Sequence, residues 1–285
     1  MTEPGVRVVT DVDVRDALAI CARDQVGSVL ASARIEALAA TGATVGGPAL
    51  WGYAPNGALE AICWSGPNLV PVVAPGDTGA LDAFAAHALR EGRRCSSIVG
   101  PAEAVLGLWD RLRPVWGPAR EIRSEQPSMV IDHPPWVEPD PDVRLTRPAE
   151  LGVLLPACVQ MFIEEVGYSP LTPDPRAYEA RVRSLIRAGR SFVHLESGLE
   201  GPSVVFKAEL GAVSRDVAQV QGVWVEPRLR RRGLASRGMA AVVAHTLEHV
   251  APIVSLYVND FNIKALATYE RVGFRQVGSY ATVLF

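Results

Sequence analysis

The sequence predicts an α/β protein made of two units, each a mixed central sheet with helices against it. Three observations lead there. The 285 residues exceed the usual size of one domain, so two of about 140 residues are expected. The stretch "HPPWVEPDPD", His133 to Asp142, holds four prolines in ten residues. It can form neither a helix nor a central strand. On either side of it, strand-like and helix-like runs alternate in a similar order. The expected units are therefore residues 1–132 and 143–285, joined by a linker over 133–142.

In the first unit, "VRVVT" reads as a strand and Asp13 to Ala40 as mostly helical. The apolar runs "LEAICWS" and "NLVPVVAP" are strands, and "GALDAFAAHALREG" is a helix. "SSIVG" is a strand, "AEAVLGLWDRL" a helix, and "AREIRS" and "PSMVID" close the unit as two strands. In the second unit, "VRLTR" is a short strand, followed by a helical segment interrupted around Pro156. "PDPRAYEARVRSLIRAG" has proline at a helix start, apolar residues at helical spacing and glycine at the end. The strands "SFVHLE", "PSVVFKAEL" and "VAQVQGVWVEP" come next, then a helix from about Arg232 to His249. The strand "PIVSLYV", the helix "NIKALATYERV" and the two strands "FRQVGS" and "YATVLF" finish the chain. The halves echo each other locally. "PVVAP" before a helix ending "AAHAL" parallels "VWVEP" before one ending "VVAHTL", and "LWDRL" parallels "TYERV". A diverged tandem duplication accounts for this; shared alanine-rich composition is the competing explanation.

Composition narrows the function. A hydrophobic content of 48% implies sizeable cores, and a net charge of −3 argues against a nucleic-acid binder. No apolar run reaches the roughly 20 residues of a membrane span. The start "MTEPGVRVVTDVDVRD" lacks the pattern of a secretory signal, so a cytoplasmic protein is expected. Cys21, Cys63, Cys95 and Cys158 show no metal-ligand spacing and read as buried reduced thiols. Two lysines, Lys207 and Lys264, stand against 26 arginines, the usage of a GC-rich bacterial genome.

The chemistry concentrates in "EPRLRRRGLASRGMAAVV", Glu226 to Val243, where five arginines and two glycines meet at the mouth of a helix. A solvated helix end is one explanation; a polyanion site is the other. The first turn of a helix offers unpaired N–H groups and the positive end of its dipole. Gly233 removes the side chain that would keep a ligand away, Ala235 keeps the next face small, and Ser236 adds a hydroxyl.

Arg230-Arg231-Arg232-Gly233-Leu234-Ala235 resembles the cofactor-binding motif of the GNAT acetyltransferase superfamily, Gln/Arg-x-x-Gly-x-Gly/Ala. "NIKALATYERVGF" resembles its second signature through Asn262, Ala265, Tyr269, Gly273 and Phe274. The resemblance implies tandem GNAT-like domains, each a mixed, mostly antiparallel sheet flanked by helices, with acetyl-coenzyme A as co-substrate and no metal. It implies that Arg230, Arg231, Arg232, Gly233, Leu234, Ala235 and Ser236 cradle the pyrophosphate. The backbone of Val223, Trp224 and Val225 would pair with the pantetheine arm like an added strand. In the family that strand carries a bulge. The Val223 amide would polarise the thioester carbonyl, Asn262 would hold the pantetheine, and Tyr269 would protonate the leaving thiolate. An ordinary core position is the alternative for Tyr269.

No base is obvious. Gln219 and Gln221 occupy the strand where some family members carry Glu or His, and glutamine takes no proton. Glu164 and Glu165 are the candidates, one of them to steer an amine; His194 reads as structural. The first half lacks this equipment: Gly76-Asp77-Thr78-Gly79 replaces the arginine–glycine turn, Trp109 the tyrosine and Ala102 the asparagine. It resembles the degenerate domain of actinobacterial two-domain GNAT proteins. The expected function is transfer of acetyl to the primary amine of a small molecule, peptide or protein, with a cationic small molecule favoured by the acidic balance. The rivals are a non-catalytic acyl-coenzyme A sensor and a tandem enzyme resembling mycothiol synthase. Oligomeric state is not legible.

Overall fold

The computed structural model describes residues 5–10, 13–41, 49–172, 174–199 and 201–285. Residues 1–4 and 11–12 of the N-terminal stretch analysed above lie outside them. Two compact units emerge. One comprises the chain up to Met129 with Tyr257–Phe261 and Gln276–Phe285; the other comprises Val130–Leu256 and Asn262–Arg275.

The first unit orders its strands β1 (Val6–Val8), β2 (Ala49–Tyr53), β3 (Ala61–Ser65), β4 (Asn68–Val72), β5 (Ser97–Pro101), β12 (Arg275–Leu284) and β6 (Glu121–Ile131). β4 and β5 run parallel and pair at Asn68↔Ser97 and Leu69↔Ile98. Helices α1 (Val14–Cys21) and α2 (Val29–Thr41) contribute Ala17, Ile20 and Ile35 to one core with Leu50, Ile62 and Val70. Helices α3 (Thr78–Glu91) and α4 (Ala102–Trp116) contribute Phe84, Leu108 and Trp109 to a second. β2, "ALWGY", is not foreseen from the sequence.

The last strand departs from the expected division. β12 pairs antiparallel with β5, from Tyr280↔Pro101 to Leu284↔Ser97. Ala281 and Val283 enter the core around Phe84, and Tyr280 enters the other, where its hydroxyl donates to the carbonyls of Val26 and Gly27. Apolar burial of this order, about 25 cal/mol per Å², holds the strand in the first unit. It is also one strand, not two, as is β6; neither Gly278 nor Pro127 interrupts pairing. The Pro127 carbonyl still accepts from Val258 N at 3.2 Å.

The second unit orders β11 (Ile253–Tyr257), β10 (Val217–Val225), β9 (Gly201–Val213), β8 (Ser191–Gly198) and β7 (Arg144–Leu145). One face packs α5 (Leu151–Val166) and α6 (Pro175–Arg187) through Leu154, Cys158, Ile186, Val193 and Trp224. Pro156 does not interrupt α5. Its ring and the Gly152 it would bond to are both exposed, so water can take the orphaned carbonyl. α6 starts as expected, with Pro175 at its first position and Asp174 accepting from Arg176 N and Ala177 N. On the opposite face α7 (Leu234–His249) sits close to the sheet: a Cβ on Gly238 would meet the Phe206 ring at 2.7 Å. α8 (Ile263–Val272) packs on α7. All four cysteines are buried and unbridged, and burial pushes the thiols of Cys21, Cys63, Cys95 and Cys158 up.

Candidate functional site

β10 and β11 form a fork. They pair in parallel at Val217↔Ile253, Ala218↔Val254 and Gln219↔Ser255, and from Val220 onward β10 keeps its pairing with β9. Between Gln221↔Glu209 and Trp224↔Lys207, β10 spends three steps where β9 spends two. The extra residue is a bulge at Gly222–Val223, with Gly222 at φ +60°. Glycine is needed there for room as well: a Cβ would lie 3.1 Å from Lys207 Nζ and from Glu209 Cδ. Val223 thus stands on a bulge just beyond the last β10–β11 pair.

Past the fork, Pro227–Leu229 makes one 3-10 turn and the chain enters α7 through Gly233, at φ +78°. No side chain caps this end. Arg231 has φ +65°, alone among the described non-glycine residues in that region. A non-glycine held there costs about 1–3 kcal/mol, and such outliers gather at ligand sites. With Arg228, Arg231, Arg232 and Gly233 exposed, and Leu234 and Ala235 half-buried, the first amides of α7 face an electropositive surface. Ser236 is buried, so it sits deeper than a surface hydroxyl donor would.

Arg230 turns the other way. Its Nη2 donates to Glu164 Oε2 at 2.7 Å and its Nε to the Val225 carbonyl at 3.0 Å. Glu164 Oε1 also accepts from Gln160 at 3.1 Å and from the Trp224 indole at 3.4 Å. Burial raises the Glu164 carboxyl, but Arg230 and Gln160 outweigh it and hold it below the ordinary value. A carboxylate so engaged is a poor base and a good anchor for the turn.

Tyr269, on α8, is buried, with Phe274 5.9 Å away between ring centres. Burial, aided by the charge of Glu165, pushes its phenol up, so it stays protonated and available as a donor. Exposed Glu165 is therefore within electrostatic reach of Tyr269. Asn262 caps α8, its Oδ1 accepting from Ala265 N at 3.2 Å, which leaves its amide nitrogen able to donate outward.

Sequence reasoning missed a buried charge cluster under the bulge. Lys207 and Glu209 lie on β9, Arg181 on α6 and Gln221 on β10. Gln221 Nε2 donates to Glu209 Oε1 at 2.9 Å, and Arg181 reaches the same oxygen at 3.4 Å. Burial raises the Glu209 carboxyl, while Lys207, Arg181 and Gln221 together bring it below its usual value. The signal in the sequence was a lysine and a glutamate two apart inside an apolar strand. His194 is structural, its Nδ1 2.9 Å from Asp140 Oδ2. Asp140 Oδ1 accepts from Asp142 N and Asp140 N donates to the Arg237 carbonyl, so these groups fasten the proline-rich segment to the second unit.

Residues 171–274 match the model of the acetyltransferase (GNAT) family, and residues 48–154 match that of a domain of unknown function (DUF4081). Residues 171–274 are therefore similar to a GNAT domain, and the region before them is a divergent first domain. A GCN5-related N-acetyltransferase from Sphaerobacter thermophilus has a similar structure, at TM-score 0.59 and 18% identity over 97% of this chain and 93% of that one. The tandem GNAT protein from the clavulanic acid biosynthesis pathway superposes at 0.53 and 12% identity, covering 98% of both chains. An acetyltransferase of the GNAT family from Colwellia psychrerythraea gives 0.53 and 10%, over 98% of this chain and 99% of that one. No curated protein matches the sequence. These likenesses establish the tandem GNAT fold. Among the described residues no helix is long and apolar enough to cross a membrane.

Proposed function

We propose that this protein transfers an acetyl group from acetyl-coenzyme A to a primary amine by direct attack within a ternary complex. The observation that carries the reading is the uncapped, left-handed entrance of α7 at Gly233, set just past the β10–β11 fork. The amides from Arg231 to Ser236 take the diphosphate, with Arg231 and Arg232 beside it. The backbone edge of β10 beyond its last pair with β11, at Val223, Trp224 and Val225, receives the pantetheine arm. The Val223 amide meets the carbonyl oxygen as it gains charge, and the Tyr269 hydroxyl donates to the departing sulfur. Glu164 acts through Arg230, and Glu165 faces the Tyr269 side. Asn262 donates its amide N–H to the arm.

The test has two parts. Calorimetry should show saturable binding of acetyl-coenzyme A, and a thiol-release assay across an amine panel should show turnover. Tyr269→Phe should bind the cofactor normally and turn over about 100-fold more slowly, the low end of proton-donor contributions. Equal turnover in both proteins would remove Tyr269 from the mechanism.

A further inference from the structure

Lys207 is one of two lysines in a chain with 26 arginines, and it is fully buried. Its Nζ has no hydrogen-bond partner. The carboxylate within ion-pair reach is Glu209, whose Oε2 stands 3.7 Å away. Glu209 is itself shared, because its other oxygen accepts from Gln221 and from both terminal nitrogens of Arg181. Two cations therefore surround one carboxylate, leaving one positive charge beneath the bulge, with the Cys158 thiol as a further polar neighbour of Lys207. Burying a charged donor without an acceptor is costly, so a position that keeps it has something to meet. Nζ sits 3.1 Å from where a Cβ of Gly222 would be, so the glycine at the bulge leaves the ammonium its space on that side.

We propose that Lys207 and Arg181 receive a carboxylate of the acceptor, so that the amine acetylated here belongs to an amino acid or a similar acid-bearing amine. This rests on the acetyl-transfer reading above and supplies its acceptor class. The carboxylate enters past Arg181, whose guanidinium turns from Glu209 to meet it. That side chain is 48% exposed and touches Glu209 at 3.4 Å, so it is the most accessible member of the cluster. Glu209 stays ionised and steers the ammonium end of the same molecule, which makes the pocket complementary to a zwitterion.

The test uses the full chain with acetyl-coenzyme A saturation established first by calorimetry. Turnover is then compared for glycine, β-alanine and γ-aminobutyrate against the amide of each. The acids should exceed their amides by 10-fold or more in kcat/KM. Lys207→Met should erase that preference by raising KM for the acids, with cofactor affinity unchanged; Arg181→Met, at a half-exposed position, should do the same more weakly. Should Lys207→Met fail to fold, Arg181→Met decides alone. Amides used as well as their acids, or a variant that slows both series equally, would overturn the pocket. Failure to bind acetyl-coenzyme A would overturn the functional reading, and the pocket with it.

Discussion

The turns that follow β4 and β10 occupy corresponding places in the two units and treat negative charge in opposite ways. After β4, Asp77 caps α3 by accepting from Ala80 N at 3.0 Å, and Glu103 Oε1 accepts from Gly76 N at 2.7 Å. The chain supplies its own anions to the amides. After β10, Gly233 leaves the entrance of α7 uncapped and arginines surround it. The same fork-then-helix geometry therefore holds an internal carboxylate in one unit and stands open to an external anion in the other. Two well-placed carboxylates are enough to satisfy such donors and to repel an external diphosphate.

Transplanting the first unit's device should have the largest effect. Gly233→Asp places a carboxylate at an N-cap, in a conformation that Asp tolerates better than most residues. Acetyl-coenzyme A affinity should fall about 100-fold by calorimetry, which is near 2.8 kcal/mol at about 1.4 kcal/mol per decade, while the protein stays folded by circular dichroism. Unchanged affinity would mean that the two turns do not differ in the way described. A middle effect is expected from Glu164→Gln, which releases Arg230 from the open turn; kcat/KM for acetyl-coenzyme A should drop about 10-fold, in the range of a lost charge-assisted hydrogen bond. The pH sign follows from the lowered Glu164 carboxyl. Its tie to Arg230 is complete above the ordinary value near 4.5 and is lost as pH falls through the lower native value. Cofactor affinity of the wild type should accordingly stay level from pH 8 to 5 and weaken only in stronger acid. The smallest effect belongs to Asp77→Ala in the first unit. It should cost about 1 kcal/mol in denaturant unfolding, the usual value of a cap, and create no second cofactor site, since Glu103 still takes the Gly76 amide.

Local chemistry was legible in the sequence, and partnerships across the sheet were not. Gly233 and Asn262 announce themselves because a left-handed helix entrance and a side-chain helix cap each need that residue type beside the first turn. The Asp174–Pro175 helix start is legible for the same reason. Glu209 and Lys207 were passed over because their meaning depends on register. A bulge in β10 and a helix 28 residues upstream of Glu209 bring Gln221 and Arg181 to them. The pairing of Glu164 with Arg230 was illegible for a similar reason, since the two stand 66 positions apart. Pro156 misled through its usual habit, since an exposed helix face lets water repair what proline breaks.

The placement of β12 bears on how the protein is made. While the ribosome is still adding Arg275–Leu284, the nascent first unit lacks the strand that lies along β5, together with the aromatic ring and small side chains that close both of its cores. The first unit is therefore completed only after the second has been made, and removing Arg275–Leu284 injures the unit that was synthesised first.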